Sequence, residues 1–131
     1  MPPQAQDDKK IKVLIIEDDV FMSDLLSKAL TRAGFDTMSA KTGAEGIARF
    51  NEKKPDVILL DILLPDESGL EALRTIRRLP GGPEVKVIVL SNLSREANAE
   101  EAKRLGAAEY LVKVNFSLDE IIEKIRSVAA G

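Results

Sequence analysis

The 131-residue sequence contains no cysteine and no histidine. Disulfides, thiolate zinc sites, Cys or His nucleophiles and imidazole general bases are excluded together, so any chemistry must run on carboxylates, lysines, hydroxyls or a metal. An excess of positive charge is missing too. The 19 Lys and Arg side chains face 22 Asp and Glu, a formal charge of -3, so no large positive field exists to hold nucleic acid through its phosphates. Direct nucleic-acid binding is not expected. No apolar run approaches a membrane span, and the strongest, Val57 to Leu64, is interrupted by Asp61. Residues 1–10 are polar and contain prolines, without the apolar block of a signal peptide. We therefore expect a disordered tail over 1–10, no membrane association and a cytoplasmic location.

What is present suits one globular domain over 11–131. Hydrophobic residues make up 44% and charged residues 31% of the chain, and a chain of this length buries roughly two-thirds of its unfolded surface in a single core. Short β-branched or apolar runs alternate with longer segments of helical period, the pattern of βαβ units around a parallel sheet. Strands are expected near Ile11 to Ile16, Asp36 to Ala40, Asp56 to Leu60, Val85 to Leu90 and Ala108 to Val112. Helices are expected over Phe21 to Ala33, Ala44 to Lys53, Gly69 to Leu79, Arg95 to Leu105 and Leu118 to Ala129. Gly34 and Gly106 stand where helices stop, and Pro80 to Pro83 reads as a turn. The central strands lack polar alternation, as they must if helices cover both faces. The fold class is therefore α/β, a doubly wound five-stranded parallel sheet of (βα)5 type.

Several helix starts are signposted. Thr42 with Glu45, Ser68 with Glu71 and Ser117 with Glu120 have capping-box spacing. Phe116 and Ile121 add a hydrophobic staple, and Ser94 is placed to cap the fourth helix.

The chemistry collects at strand ends. The first strand runs into Glu17, Asp18 and Asp19, and the third into Asp61, so acids gather where parallel strands finish and where open α/β sheets bind ligands. Adjacent carboxylates repel one another and lose hydration beside apolar strands unless a cation offsets them. A hard divalent ion such as Mg²⁺ does so and keeps positions open for phosphate oxygens. Asp19 alone reads better as a helix cap. Asp61, splitting Leu59-Leu60 from Ile62-Leu63-Leu64, has little structural reason to be there. Ser91 and Lys113 end the fourth and fifth strands, supplying a hydroxyl and a cation suited to a transferred phosphoryl group.

Taken together, Leu14 to Asp19, Asp56 to Asp61 with Leu64-Pro65 and Gly69-Leu70-Glu71, Val89-Leu90-Ser91 and Tyr110 to Lys113 resemble the receiver domain of response regulators, over nearly everything from Lys12 to Val128. The resemblance implies the flavodoxin-like strand order 2-1-3-4-5 and a phosphoacceptor role for Asp61. It implies Mg²⁺, or Mn²⁺ in its place, held by the Asp18 and Asp61 carboxylates and the Leu63 backbone carbonyl, with Glu17 acting through water. Lys113 and Ser91 would then contact phosphoryl oxygens, and Tyr110 would change rotamer with Ser91 as the switch. A chain without histidine takes its phosphoryl group from another protein, a sensor histidine kinase or histidine phosphotransfer protein, and answers to a phosphorylation-dependent protein target. Homodimerisation through the fourth helix, fifth strand and fifth helix is compatible with the resemblance. Such a chain modifies only itself and is no enzyme in the usual sense.

Two departures from the family pattern stand out. Val114 follows Lys113 where family members usually carry proline in a cis bond; a cis bond before valine costs about 3 to 4 kcal/mol, so a trans bond and a reshaped loop are expected. Leu63 and Leu93 lie two residues beyond Asp61 and Ser91, where polar groups often orient hydrolytic water, which implies slow self-dephosphorylation. The alternative function is a pseudo-receiver, an interaction module of the same fold without phosphotransfer; the complete set of acids, hydroxyl and lysine argues against it. An aspartyl phosphatase needs a second acid where Leu63 stands, and a flavin protein needs a phosphate-cradling loop where the acids stand.

Overall fold

Runs of Val, Ile and Leu form the middle of the sheet because both of their faces are covered. The computed structural model describes residues 10–93 and 95–131. The expected tail therefore lies outside the described residues apart from Lys10, and the expected cap Ser94 also lies outside them. The elements run β1 (Lys12–Ile16), α1 (Val20–Arg32), β2 (Asp36–Ala40), α2 (Gly43–Lys53), β3 (Val57–Leu60), α3 (Gly69–Arg77), β4 (Lys86–Ser91), α4 (Glu96–Arg104), β5 (Glu109–Val112), a 3-10 turn over Lys113–Asn115, and α5 (Leu118–Ala130). All strand pairings are parallel in the order β2-β1-β3-β4-β5. This is the flavodoxin-like doubly wound arrangement.

Alternate residues of the central strands feed two cores. Leu14, Ile16, Ile58, Leu60, Val87 and Val89 pack with Phe50 of α2, Leu73 and Ile76 of α3 and Ala102 of α4. Their neighbours Val13, Ile15, Val57, Leu59, Ile88 and Leu90 pack with Leu26 and Leu30 of α1 and Ile121 and Ile125 of α5. Period-two alternation thus places two helices on one face and three on the other. The chain moves from β1 outward to β2 and then crosses to β3 on the other side, so the strand order reverses between β1 and β3, the point where open α/β sheets bind ligands.

Element ends depart from expectation by one or two residues. The most consequential shift is in β4, which includes Ser91 itself, fully buried. Gly34 and Gly106 adopt positive φ of 97° and 81° after α1 and α4, as helix stops in the left-handed region. Only one of the expected capping boxes closes completely. Ser117 accepts from Glu120 N while Glu120 accepts from Ser117 N. Thr42 accepts from Glu45 N, but Glu45 reaches the Lys41 amide instead of returning to Thr42. Ser68 accepts from Leu70 N, and Glu71 is drawn to Arg74, which also pairs with Glu101 of α4. No described peptide bond is cis, so Lys113–Val114 is trans, and the chain turns there through a single 3-10 turn. No helix among the described residues is long and apolar enough to cross a membrane.

Candidate functional site

The parallel ladder assembles the acids. At the end of β1, Glu17 N donates to Ala40 O at 2.9 Å, and at the end of β3, Asp61 N donates to Ile16 O at 3.0 Å. The sheet's own hydrogen bonds thus continue one residue beyond the strands and hold Glu17 and Asp61 side by side. Carboxylate oxygens of Glu17, Asp18 and Asp61 lie within 4.8 Å of one another; Glu17 and Asp61 are buried and Asp18 is exposed. Asp19 stands apart from this group. Its Oδ1 accepts from Met22 N at 3.2 Å, capping α1 as expected.

Register brings the other two residues to the same rim. Leu60 pairs with Val89, so Ser91 ends the strand beside Asp61; Ser91 in turn pairs with Val112, so Lys113 comes next. The Lys113 ammonium reaches across both strands to Glu17 Oε1 at 2.5 Å and Asp61 Oδ2 at 3.1 Å. The valine in the position after Lys113 does not prevent that reach. Val114 itself points out and is 81% exposed.

Burial pushes the Glu17 carboxyl above its ordinary value, and the neighbouring Asp61 charge adds to this against the lowering effect of the Lys113 hydrogen bond. Burial works against the Lys113 ammonium as well, but its hydrogen bond to Glu17 and the charges of Asp61 and Glu17 outweigh it, leaving that pKa raised. The site is a pair of buried acids bridged by one ammonium group.

Ser91 Oγ accepts from Leu93 N at 3.3 Å, and the Tyr110 hydroxyl donates to Leu93 O at 2.7 Å. Both proposed switch residues therefore grip the same residue of the β4–α4 loop. Leu63 N donates to Asp61 Oδ1 at 3.3 Å, which lays that backbone against the Asp61 carboxylate, while the Leu63 side chain faces solvent. The donors are all oxygen, two acids are buried and one opens to water; this set fits a hard ion such as Mg²⁺ or Mn²⁺ and lacks the softer N and S ligands favoured by zinc.

Sequence reasoning singled out every member of this cluster but missed three contacts. The Lys113–Glu17 bond joins residues 96 apart, with no local signal. Asp66 accepts from both Gly43 N at 2.8 Å and Ala44 N at 3.0 Å, and nothing in its neighbourhood announces a partner on α2. Gly69 was legible as part of a motif but not for its reason. A Cβ there would land on the Asp61 carbonyl oxygen.

Such a fold with acids, serine and lysine on one rim defines a class of signalling module rather than of classical enzyme, and comparison with known proteins agrees. A sequence model of the family described as "Response regulator receiver domain" matches residues 13–126. The chain belongs to the response regulator receiver domain family. It is 32% identical over 119 residues to chemotaxis protein CheY of Thermotoga maritima, covering 90% of this chain and 97% of that protein. It is 36% identical to transcriptional regulatory protein TrcR of Mycobacterium tuberculosis, across 93% of this chain but only 46% of that longer protein. Among solved structures, the CheY-like receiver domain protein of Methanospirillum hungatei superposes with a TM-score of 0.87 at 27% identity, covering 93% of this chain and 95% of that one. This chain's relatives include transcriptional regulators, so the comparisons do not bear out the expected absence of a nucleic-acid partner.

Proposed function

We propose that the protein is a phosphoacceptor switch that takes a phosphoryl group onto Asp61 from a phosphohistidine on a sensor kinase or phosphotransfer protein. The observation that carries this reading is the meeting of the Glu17, Asp18 and Asp61 carboxylates within 4.8 Å, with the Lys113 ammonium 3.1 Å from Asp61. Asp18 and Asp61 would hold Mg²⁺ with the Leu63 carbonyl, and Glu17 through water. The ion's contribution is to neutralise charge on the phosphoryl oxygens.

In the transfer, an Asp61 carboxylate oxygen attacks phosphorus in line. The P–N bond to the donor imidazole breaks with its electron pair staying on nitrogen, which takes up a proton, and an acyl phosphate remains on Asp61. Lys113 moves from the acid pair to a phosphoryl oxygen and stabilises its charge. Ser91 turns its side chain toward a second phosphoryl oxygen to donate its hydroxyl there, and this movement of Oγ, not the donation itself, exchanges away the bond it accepts from the Leu93 amide. Leu93 is also what the Tyr110 hydroxyl holds, so this exchange loosens both ties of the β4–α4 loop and lets Tyr110 change rotamer. The altered surface of α4, β5 and α5 is what a protein target, or a second copy of the chain, then reads.

A protein donor suits the surroundings of the site. Val20 and Phe21 follow Asp19, Leu63 lies two residues beyond Asp61, and Val114 adjoins Lys113; all four are exposed apolar side chains. The reading includes a cytoplasmic location. Its test is intact mass after incubation with MgCl₂ and acetyl phosphate. The parent gains one phosphoryl group and Asp61→Asn gains none. A parent whose mass does not change is an interaction module without phosphotransfer, and the proposal fails.

A further inference from the structure

The loop between Asp61 and Gly69 is fixed at its base and at its tip by different means. At the base, Gly69 N donates to Ile62 O at 2.7 Å and Leu63 bridges Ser68 in antiparallel fashion. At the tip, the exposed Asp66 uses both carboxylate oxygens, one on Gly43 N and one on Ala44 N, while the Glu67 side chain fills the space beside Gly43. Burial does not demand this of Asp66, since a solvated carboxylate is satisfied by water. The cap of α2 leaves the Gly43 and Ala44 amides open to it. The N-cap of α2 is Thr42, whose hydroxyl already accepts from Glu45 N.

The bond has a structural consequence beyond α2. This helix starts where β2 ends, and β2 is tied to the tip of β1 by Glu17 N to Ala40 O, while Asp61 N is tied to Ile16 O. Asp66 therefore closes a ring that runs from the β3 tip through its loop to α2, back along β2 and into the β1 tip. The two halves of the acid cluster, Glu17 with Asp18 and Asp61 with its loop, sit on opposite sides of that ring. Without the Asp66 link the loop that carries Leu63 loses its two hydrogen bonds to α2 and keeps only side-chain packing, with Glu67 beside Gly43 and Leu64 against the core.

We propose that Asp66 is a positioning residue for the divalent ion: by accepting the first two amides of α2 it holds the Asp61–Gly69 loop in register with the acids of β1. This rests on the metal reading of the site. Groups that orient metal ligands without touching the metal commonly change affinity by about 10- to 100-fold when removed.

The experiment is an amide NMR titration with MgCl₂ following Glu17, Asp18 and Ile62 in the parent and in Asp66→Ala, Asp66→Asn and Thr42→Ala. Asp66→Ala weakens Mg²⁺ binding about tenfold or more, and Asp66→Asn, which keeps one acceptor oxygen, falls between it and the parent. Thr42→Ala weakens the start of the same helix but leaves the Asp66 link, so its Mg²⁺ affinity stays within about twofold of the parent. Equal affinity in Asp66→Ala and the parent overturns the positioning role, as does an equal loss in Thr42→Ala. A parent that shows no Mg²⁺-dependent shifts fails at the earlier step and removes the metal reading itself.

Discussion

At Gly69 the lack of a side chain decides where Asp61 can stand, since the added methyl of alanine would meet the Asp61 carbonyl oxygen and Ile62 backbone rather than the yielding end of a side chain. Gly69→Ala is expected to cost about 1–3 kcal/mol in urea unfolding, as overpacked sites do, and to shift the Asp61 amide resonance. Asp66 offers a pH test. The Gly43 and Ala44 amides hold its carboxyl below the usual 3.8. A depressed folded pKa means stabilisation that is present above the unfolded value and lost as the pH falls through the lower folded one. The urea midpoint of Asp66→Asn is therefore expected below the parent's at neutral pH, with the gap closing at the acid end. At Leu63 and Leu93, two apolar side chains stand where a polar group would align water; replacing both with Asn or Glu is expected to shorten the phosphoryl lifetime on Asp61, measured by decay of the phosphorylated mass.

Helix starts show how far local spacing carries. Three Ser/Thr-x-x-Glu spacings invite three capping boxes, yet only Ser117 with Glu120 closes one, because Glu45 and Glu71 have better partners elsewhere. Glu71 pairs with Arg74, which also reaches Glu101 and so joins α3 to α4. That connection matters because α4 buries only Ala102 among its described side chains. Arg77 supplies a second tie, donating to the Leu105 and Gly106 carbonyls after α4 as well as to Gly82 and Val85 before and at the foot of β4. No sequence pattern marks Arg77 for this, since its partners are backbone atoms brought near by folding. For the box that does form, Ser117→Ala is expected to cost about 1 kcal/mol in chemical unfolding, with the loss confined to α5 by amide exchange.

Across the whole molecule, the sheet was legible because two-sided burial leaves β1, β3 and β4 almost wholly apolar, and the rim was legible because Asp61 interrupts such a run. The edge strand β2, Asp36–Ala40, has a weaker signal because much of it stays exposed. The Lys113–Glu17 bond was not legible, since a contact across 96 residues exists only after β1, β3, β4 and β5 have taken their order. That dependence makes the site a reporter of the fold. Glu17 and Asp18 belong to β1's end and Asp61 to β3's, so a divalent ion bound between them favours the folded chain over an unfolded one in which they are scattered. Ligand at 100 times its dissociation constant stabilises a fold by about 2.7 kcal/mol. Thermal melts in excess MgCl₂ are therefore expected to rise above melts in EDTA for the parent, and to rise far less for Asp18→Asn. Sodium chloride at matched ionic strength screens the acids without bridging them, so it should reproduce only part of the shift. An equal rise with sodium, or in Asp18→Asn, would mean that the acids respond to salt in general and share no ion.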